Sequence, residues 1–252
     1  MAKCRQARVS STAPMRATLA ALAAAFIAII TSGQETRAEV TSCAGAPVQV
    51  EVPRGTPYSL RLAEKAQALT GTTKAVVLGD SDAGRWPADE LEPILGSPVL
   101  NLAHGGDRFE NTRWIVDQVD PQGTKAISSV VLMVGSNSVN RDEPCSLQAK
   151  ARALLGALEP RFPAARIFVV NILQKGRAAG PMAARVRAAN EVLRRVSAEL
   201  GLRYVDVHAA FAGRCGETTA CPLFAADGVH PSVAGFDLMS RVLADAAKVK
   251  PG

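Results

Sequence analysis

Short apolar runs alternate with amphipathic segments along most of the chain, and this alternation constrains the fold more than any other feature. Six segments have the apolar spacing of amphipathic helices, near 59–69, 87–95, 110–119, 146–159, 182–200 and 232–247. Strands that alternate with helices predict an α/β fold, a doubly wound domain whose five-stranded parallel sheet is covered on both faces. The five apolar runs, rich in Val, Ile and Leu, are AVVLGDS (75–81), PVLNLAHGG (98–106), SVVLMVGSN (129–137), RIFVVNIL (166–173) and RYVDVHAAF (203–211).

The first 38 residues have the features of a secretory signal peptide. Basic residues precede ATLAALAAAFIAIITSG, a nearly pure apolar run of roughly 17 residues. The small residues Thr36 and Ala38 predict cleavage after Ala38. The alternative is an uncleaved membrane anchor, because the run is close to the shortest length that spans a bilayer. We expect a periplasmic or secreted protein with an N-terminal lead-in and helix over 39–73 and its main domain over 74–252.

The net charge of +6 lies mostly in this leader. Residues 1–38 contain five basic residues and one acidic residue, so they contribute +4 and leave +2 on the rest of the chain. So small a charge gives little support for a nucleic-acid surface, and the sequence has no run of Lys and Arg interleaved with aromatic residues. We therefore expect no nucleic-acid partner, and no membrane partner once the leader is cleaved.

Four cysteines remain when Cys4 leaves with the leader: Cys43, Cys145, Cys215 and Cys221. An even number in an exported chain favours disulfides, whereas four free thiols are the alternative. Of the three possible pairings we favour Cys215 with Cys221, which are close in sequence, and then Cys43 with Cys145 by elimination. The cysteines contain no C-x-x-C pair, so we expect no zinc site built from them. We also expect no cofactor.

Polar residues and glycines follow the strands of the predicted sheet where those strands end. Ser81 follows the first run, Gly105 and Gly106 follow the second, and Asn137 follows the third. Asp227 and His230 lie beyond the fifth run, in the segment DGVHP (227–231). In open α/β sheets ligands bind outside the carboxyl ends of the strands, so four segments are expected to deliver polar groups to one crevice.

These residues include the groups that serine hydrolysis needs. The reaction requires a nucleophilic hydroxyl, a histidine to take its proton, a carboxylate to orient that histidine, and donors for the developing oxyanion. Ser81, His230 and Asp227 supply the first three. For DGVHP alone, an ordinary turn before a helix is an equal alternative. A phosphate-binding loop would need G-x-x-x-x-G-K-[ST], and an α/β-hydrolase elbow would need G-x-S-x-G; neither pattern matches GDSDAG (79–84).

Four motifs in order, VVLGDSDAG, NLAHGGD, MVGSN and DGVHP, resemble the SGNH (GDSL) hydrolase family over roughly residues 74–245. The resemblance implies a flavodoxin-like three-layer α/β/α sandwich, with 74–252 as the catalytic domain. It also implies that Ser81 is the nucleophile of a triad with Asp227 and His230. The implied oxyanion donors are the backbone N–H groups of Ser81 and Gly106 and the side-chain amide of Asn137.

Two departures from the family pattern affect which residue roles the resemblance implies for this chain. Ser138 stands where many members have aspartate, and Ala103 with His104 stands where glycine and an apolar residue are frequent. The second departure leaves Gly105 as an alternative to Gly106 for the oxyanion donor.

For other polar residues in or near these motifs, the sequence gives less specific predictions. We expect Asp80 to hydrogen-bond loop backbone, Asp82 to cap the following turn, and His208, at the end of the RYVDVH strand, to be structural or on the surface. We expect a hydrogen-bonded structural role for His104, with substrate contact as the alternative. Four arginines are candidates for the crevice mouth, where they would favour an anionic substrate, or are ordinary solvated charges: Arg85, Arg108, Arg113 and Arg141.

The resulting hypothesis is an exported serine esterase that removes a short acyl group, such as acetyl, from an alcohol or carbohydrate. The short loops of the main domain leave no lid or lipid-binding insertion of the kind that long-chain lipids require. Acyl transfer to a second alcohol through the same acyl-enzyme is one alternative. A catalytically silent carbohydrate-binding protein is another, and the complete set Ser81, Asn137, Asp227 and His230 argues against it.

Overall fold

The computed structural model describes Cys43 and residues 57–67, 72–175 and 180–248. The expected signal peptide over 1–38 lies outside the described residues, as does most of the expected lead-in. No helix in the described part of the chain is long and apolar enough to cross a membrane.

Five parallel strands form one sheet in the order β2-β1-β3-β4-β5. This order is that of flavodoxin-like folds, and it confirms the predicted α/β class. The chain leaves β1 for β2 on one side and then returns to place β3 on the other side of β1, so a crevice opens beyond the carboxyl ends of β1 and β3. The strands are β1 Ala75–Gly79, β2 Val99–Asn101, β3 Ser129–Met133, β4 Arg166–Val170 and β5 Arg203–Val205.

The six predicted helices are all present, with ends within about two residues of those expected. Two helices were not predicted: a single turn directly after β1, and a helix that begins where the fifth apolar run was expected to continue as a strand. The helices are α1 Pro57–Gln67, α2 Ser81–Gly84, α3 Ala88–Leu95, α4 Phe109–Gln118, α5 Pro144–Arg161, α6 Pro181–Glu199, α7 Val207–Cys215 and α8 Val233–Lys248, and a short 3₁₀ helix spans Gly123–Ala126.

Alternate residues of the strands enter two separate cores, one on each face of the sheet. Val76 and Leu78 pack with apolar residues of α4, α5 and α6, whereas Ala75 and Val77 pack with those of α3, α7 and α8. Burial on both faces explains why the strands are almost purely apolar rather than alternating. Two helical layers over one sheet make the expected three-layer sandwich.

The second unexpected helix corrects the expectation for His208. Strand β5 ends at Val205, and the Asp206 carboxylate accepts a hydrogen bond from the backbone N–H of Ala209 at 2.9 Å, which begins α7. His208 therefore lies in the first turn of α7 rather than at a strand end. It is buried, with Nδ1 3.0 Å from the backbone oxygen of Ile172, in a structural position.

Two disulfides join Cys43 to Cys145 and Cys215 to Cys221, the two pairings favoured from the sequence. The first attaches the chain ahead of α1 to the start of α5. The second bridges the end of α7 to the loop that leads to Asp227 and His230.

The disulfides should contribute unequally to stability. The Cys43–Cys145 bridge spans 102 positions and the Cys215–Cys221 bridge spans six. Loop-closure entropy predicts that the Cys43→Ser/Cys145→Ser variant loses about 4–5 kcal/mol of unfolding free energy, against roughly 2 kcal/mol for Cys215→Ser/Cys221→Ser. Urea unfolding of the two double variants beside the wild type measures both losses; a larger loss for the six-residue loop would contradict this explanation.

Candidate active site

Ser81 stands at the carboxyl end of the interior strand β1 because the chain turns sharply at Gly79. This glycine has φ of +143°, and a Cβ there would lie 1.8 Å from the backbone oxygen of Met133 in β3. No other residue fits at Gly79, and the close approach of the two strands is what brings their loops together. Ser81 is then the first residue of the one-turn helix α2.

Asp80 connects the loop of the predicted nucleophile to the loop after β3. Its side chain accepts hydrogen bonds from the backbone N–H of Asp82 at 3.1 Å and from that of Ser136 at 3.2 Å. The expectation that Asp80 bonds loop backbone is therefore confirmed, but the capping residue of α2 is Asp80 rather than Asp82. Burial raises the pKa of Asp80, and these two hydrogen bonds and the charge of Lys175 oppose that rise.

Asp227 and His230 lie on a tight turn that precedes α8. Asp227 Oδ1 accepts from the backbone N–H groups of Val229 at 2.9 Å and His230 at 3.0 Å, while Oδ2 lies 2.7 Å from His230 Nδ1. The backbone N–H of His230, then its imidazole and the Val229 N–H, hold the pKa of Asp227 well below its usual range. The carboxylate is therefore ionised at neutral pH and fixes one edge of the imidazole.

The structure brings the three predicted triad residues together. His230 Nε2 lies 2.9 Å from Ser81 Oγ, on the opposite edge of the ring from Asp227. Because an ionised carboxylate only accepts, Nδ1 carries the imidazole proton and Nε2 is left to accept from the serine hydroxyl. A hydroxyl in this position can be deprotonated as it attacks an electrophilic carbon.

The loops after β2 and β3 meet beside Ser81. A Cβ on Gly105 would lie 3.8 Å from Cβ of Ser81, and Gly106 has φ of +88°, which turns the backbone at that point. Asn137 Nδ2 donates one hydrogen bond to the backbone oxygen of Asp107 at 2.9 Å. An amide nitrogen carries two hydrogens, so this bond orients the group while its second hydrogen can serve another acceptor.

His104 and Asp107 form a hydrogen-bonded pair in the loop after β2, with His104 Nδ1 3.0 Å from Asp107 Oδ1. Burial, with the charges of Asp80 and Glu110, raises the pKa of Asp107 to about 8, and burial lowers the pKa of His104. Both shifts are away from the charged forms, as expected of groups removed from water. The expected hydrogen bond of His104 is thus observed.

The arginines predicted for the crevice mouth are dispersed. Arg85 Nη1 lies 3.5 Å from Asp227 Oδ2 and more than half of its side chain is exposed, so it lies beside the triad. Arg108 pairs with Glu110 and Arg113 pairs with Asp117. Ser138, at the position where related motifs carry aspartate, is buried, and its hydroxyl accepts from the N–H of Phe109 at 3.4 Å.

Lys175 is a polar residue near the site that the motifs do not predict. Its Nζ donates to the backbone oxygen of Ser136 at 2.6 Å, next to Asn137. It lies five residues beyond the end of β4, and its position after a strand is the one signal in the sequence that could have indicated it. Among the described residues, no three His, Cys, Asp or Glu side chains converge as metal ligands.

Comparisons with known proteins find chains of similar sequence and chains of similar fold. A bovine protein, platelet-activating factor acetylhydrolase IB subunit alpha1 from Bos taurus, is 24% identical over 78% of this chain and 84% of its own. A catalytic mutant of an acetylxylan esterase from Geobacillus stearothermophilus matches with a TM-score of 0.58 and 19% identity, over 73% of this chain and 97% of that one. A GDSL-like lipase from Bacteroides thetaiotaomicron gives a TM-score of 0.61 and 15% identity over 76% and 97% of the two chains.

The two solved structures share the fold with this protein. The family comparison extends further, because the model of the GDSL-like lipase/acylhydrolase family matches residues 66–238, which include the five described strands and the residues of the candidate site. This chain belongs to the GDSL-like lipase/acylhydrolase family.

Proposed function

We propose that this protein is an exported serine esterase that hydrolyses short-chain acyl esters, such as acetyl esters, of an alcohol or carbohydrate. The observation that carries the proposal is the position of the His230 imidazole, 2.9 Å from Ser81 Oγ on one edge and 2.7 Å from Asp227 Oδ2 on the other. A histidine that contacts both a hydroxyl and an ionised carboxylate is the arrangement of a general base with its nucleophile and orienting group.

In the proposed reaction, Ser81 Oγ attacks the ester carbonyl carbon while His230 Nε2 takes the hydroxyl proton. The carbonyl oxygen becomes negative and accepts hydrogen bonds from the backbone N–H groups of Ser81 and Gly106 and from the Asn137 amide. The C–O bond to the alcohol then breaks, and the imidazolium protonates the departing oxygen, which leaves an acyl-enzyme. A water molecule, deprotonated by His230, attacks the acyl carbon. The bond between that carbon and Ser81 Oγ then breaks, and the imidazolium returns its proton to Oγ, which releases the carboxylic acid and free Ser81.

The surface around the triad supports the proposal that the acyl group is short. Among the described residues two large apolar side chains are exposed, Val229 at 44% and Val233 at 83%, and both lie close to His230 in the chain. So small an apolar surface suits a short chain better than a long lipid. The names of the bovine relative and of the Geobacillus esterase both refer to acetyl groups, which supports the same choice.

The two disulfides support export. Cys43–Cys145 and Cys215–Cys221 use all the cysteines that would remain after cleavage at Ala38. Disulfides persist in the periplasm and outside the cell, whereas reducing compartments keep thiols free. Amino-terminal sequencing of the protein from the cell envelope tests the expected start at Glu39.

Activity should fall with acyl length. On p-nitrophenyl acetate, butyrate and octanoate, kcat/KM should decrease by at least about tenfold from acetyl to octanoyl, because the described residues beside His230 offer little exposed apolar surface, Val229 and Val233, to each excess methylene group. The Ser81→Ala variant assayed in parallel controls for uncatalysed hydrolysis. A preference for octanoate would contradict the proposed substrate class, and an acylated carbohydrate formed in the presence of an added acceptor would indicate acyl transfer instead of hydrolysis.

A further inference from the structure

Lys175 reaches into the crevice from the carboxyl end of β4 and binds the loop that follows β3. Its Nζ lies 2.6 Å from the backbone oxygen of Ser136 and 3.1 Å from Ser136 Oγ. The lysine is half-buried, so the ammonium group is partly removed from water and its hydrogen bonds to Ser136 replace lost hydration.

Ser136 is thereby held at three atoms by two different strand ends. Its N–H donates to Asp80 Oδ2 at 3.2 Å, while its carbonyl and hydroxyl oxygens accept from Lys175. Asp80 belongs to the loop of Ser81, and the next residue after Ser136 is Asn137. The contacts of Ser136 therefore fix the position of the Asn137 backbone relative to Ser81.

The charge of Lys175 also opposes that of two buried carboxyl groups that flank the nucleophile in the chain. Asp80 and Asp82 are 1% and 3% exposed, and Asp82 Oδ1 has no hydrogen-bond partner among the described residues. Burial and then the charge of Asp80 raise the pKa of Asp82, whereas the charge of Lys175 opposes the rise. Burial lowers the pKa of Lys175, while Asp82 and Asp80 favour its charged form.

We propose that Lys175 is a positioning residue of the esterase reaction, which fixes Ser136 so that the Asn137 side-chain amide is aimed at the oxygen that becomes negative. Lys175 acts through Ser136 and Asn137 and needs no contact with the reacting atoms. This inference rests on the proposed function, since it assigns Asn137 the oxyanion role.

The Lys175→Met variant keeps an unbranched side chain one atom shorter than lysine and removes its charge and hydrogen bonds. We expect kcat for p-nitrophenyl acetate to fall by about 10–100-fold with KM within about twofold, because a small displacement of a catalytic group is costly. In the Asn137→Ala background the same change should cost less than about threefold further, since the group that Lys175 positions is already absent.

Arg161→Met is the matched control. Arg161 Nη1 also donates to a loop carbonyl, that of Val119 at 2.6 Å, but from the end of α5 that leads into β4. Its loss should lower the unfolding midpoint and leave kcat unchanged. If Lys175→Met does not fold, Lys175→Gln, which removes the charge and shortens the side chain, carries the same expectation for kcat and for the double variant.

Three results would overturn the inference: an unchanged kcat, an equal loss in the wild-type and Asn137→Ala backgrounds, or a rise in KM confined to anionic esters, which would make Lys175 a substrate-binding group. A wild type that hydrolyses no ester would defeat the proposed function instead. If the wild type is inactive, the nuclear magnetic resonance signal of the Asn137 side-chain amide still tests whether Lys175 positions Asn137. It should shift in Lys175→Met and remain in place in Arg161→Met, and an unshifted signal would overturn the inference.

Discussion

Replacing Ser81 with alanine should reduce ester hydrolysis by about 10⁴–10⁶-fold, the largest effect we expect from any single change. The substitution removes the oxygen that lies 2.9 Å from His230 Nε2 and leaves the rest of the site in place. His230→Ala should be as damaging, because the hydroxyl then has no base. The two losses should not add in a double variant, since nucleophile and base act as one unit. Steady-state rates on p-nitrophenyl acetate measure all three variants.

Covalent labelling identifies the nucleophile independently of turnover. An organophosphonate or sulfonyl fluoride should modify Ser81, located by mass spectrometry of the digested protein, and His230→Ala should abolish the reaction. Ser128→Ala is the matched control, because Ser128 is an exposed serine just before β3, at the opposite end of the sheet, and should retain full activity. Labelling of another serine, or full activity in Ser81→Ala, would refute the assignment.

Asp227→Ala should be less damaging than either change. The turn that carries His230 is also held by backbone contacts, including the N–H of Ala225 to the oxygen of His230 at 2.8 Å and the bridge between Phe224 and Pro231. These bonds survive loss of the carboxylate and keep part of the orientation of the imidazole. The proton on Nδ1 is no longer favoured, so activity still falls substantially.

The periodic elements of the fold were predictable because burial on both faces makes each strand an apolar run. The helices α2 and α7 were not. Helix α2 has four residues, too few to show a periodic pattern. Helix α7 continues the apolar run of β5, and the change of structure depends on Asp206, whose carboxylate caps the helix and also accepts from Asn171 Nδ2 at 2.7 Å. Asn171 lies directly after β4, so its contact with Asp206 is invisible in the local sequence.

The same distinction applies to the candidate site. Ser81 and Asn137 were predictable because each follows a strand of the parallel sheet and carries a chemically distinctive group. Asp227 and His230 come after α7 and were predictable because DGVHP places a carboxylate and an imidazole three residues apart. The second role of Asp80 and the contact of Lys175 with Ser136 depend on side chains that meet across three strand ends. Such contacts join residues far apart in the chain and leave no recurring pattern in the sequence. Asp82 was wrongly predicted to be the cap because its burial could not be inferred from the sequence.

Asn137→Ala should lower kcat by about 10²–10³-fold, or roughly 2.7–4 kcal/mol of transition-state stabilisation. The amide is oriented by its 2.9 Å hydrogen bond to the Asp107 oxygen, which leaves a second amide hydrogen for the oxygen that becomes negative during attack. That contact strengthens as the charge develops and is weak in the bound substrate. KM should therefore change little. The Asn137→Asp variant should be at least as damaging, because a carboxylate offers no donor and places negative charge where the oxyanion forms.

The division between kcat and KM tests the oxyanion role apart from the integrity of the triad. Asn140→Ala serves as the control, because Asn140 is an exposed asparagine of the same loop and its loss should leave both constants unchanged. Phosphonate labelling of Ser81 should still occur in Asn137→Ala, although more slowly, since the nucleophile and its base remain 2.9 Å apart in the unaltered pair. If Asn137→Ala instead raises KM and leaves kcat intact, the amide binds the substrate in its ground state, and oxyanion stabilisation must come from the backbone N–H groups of Ser81 and Gly106.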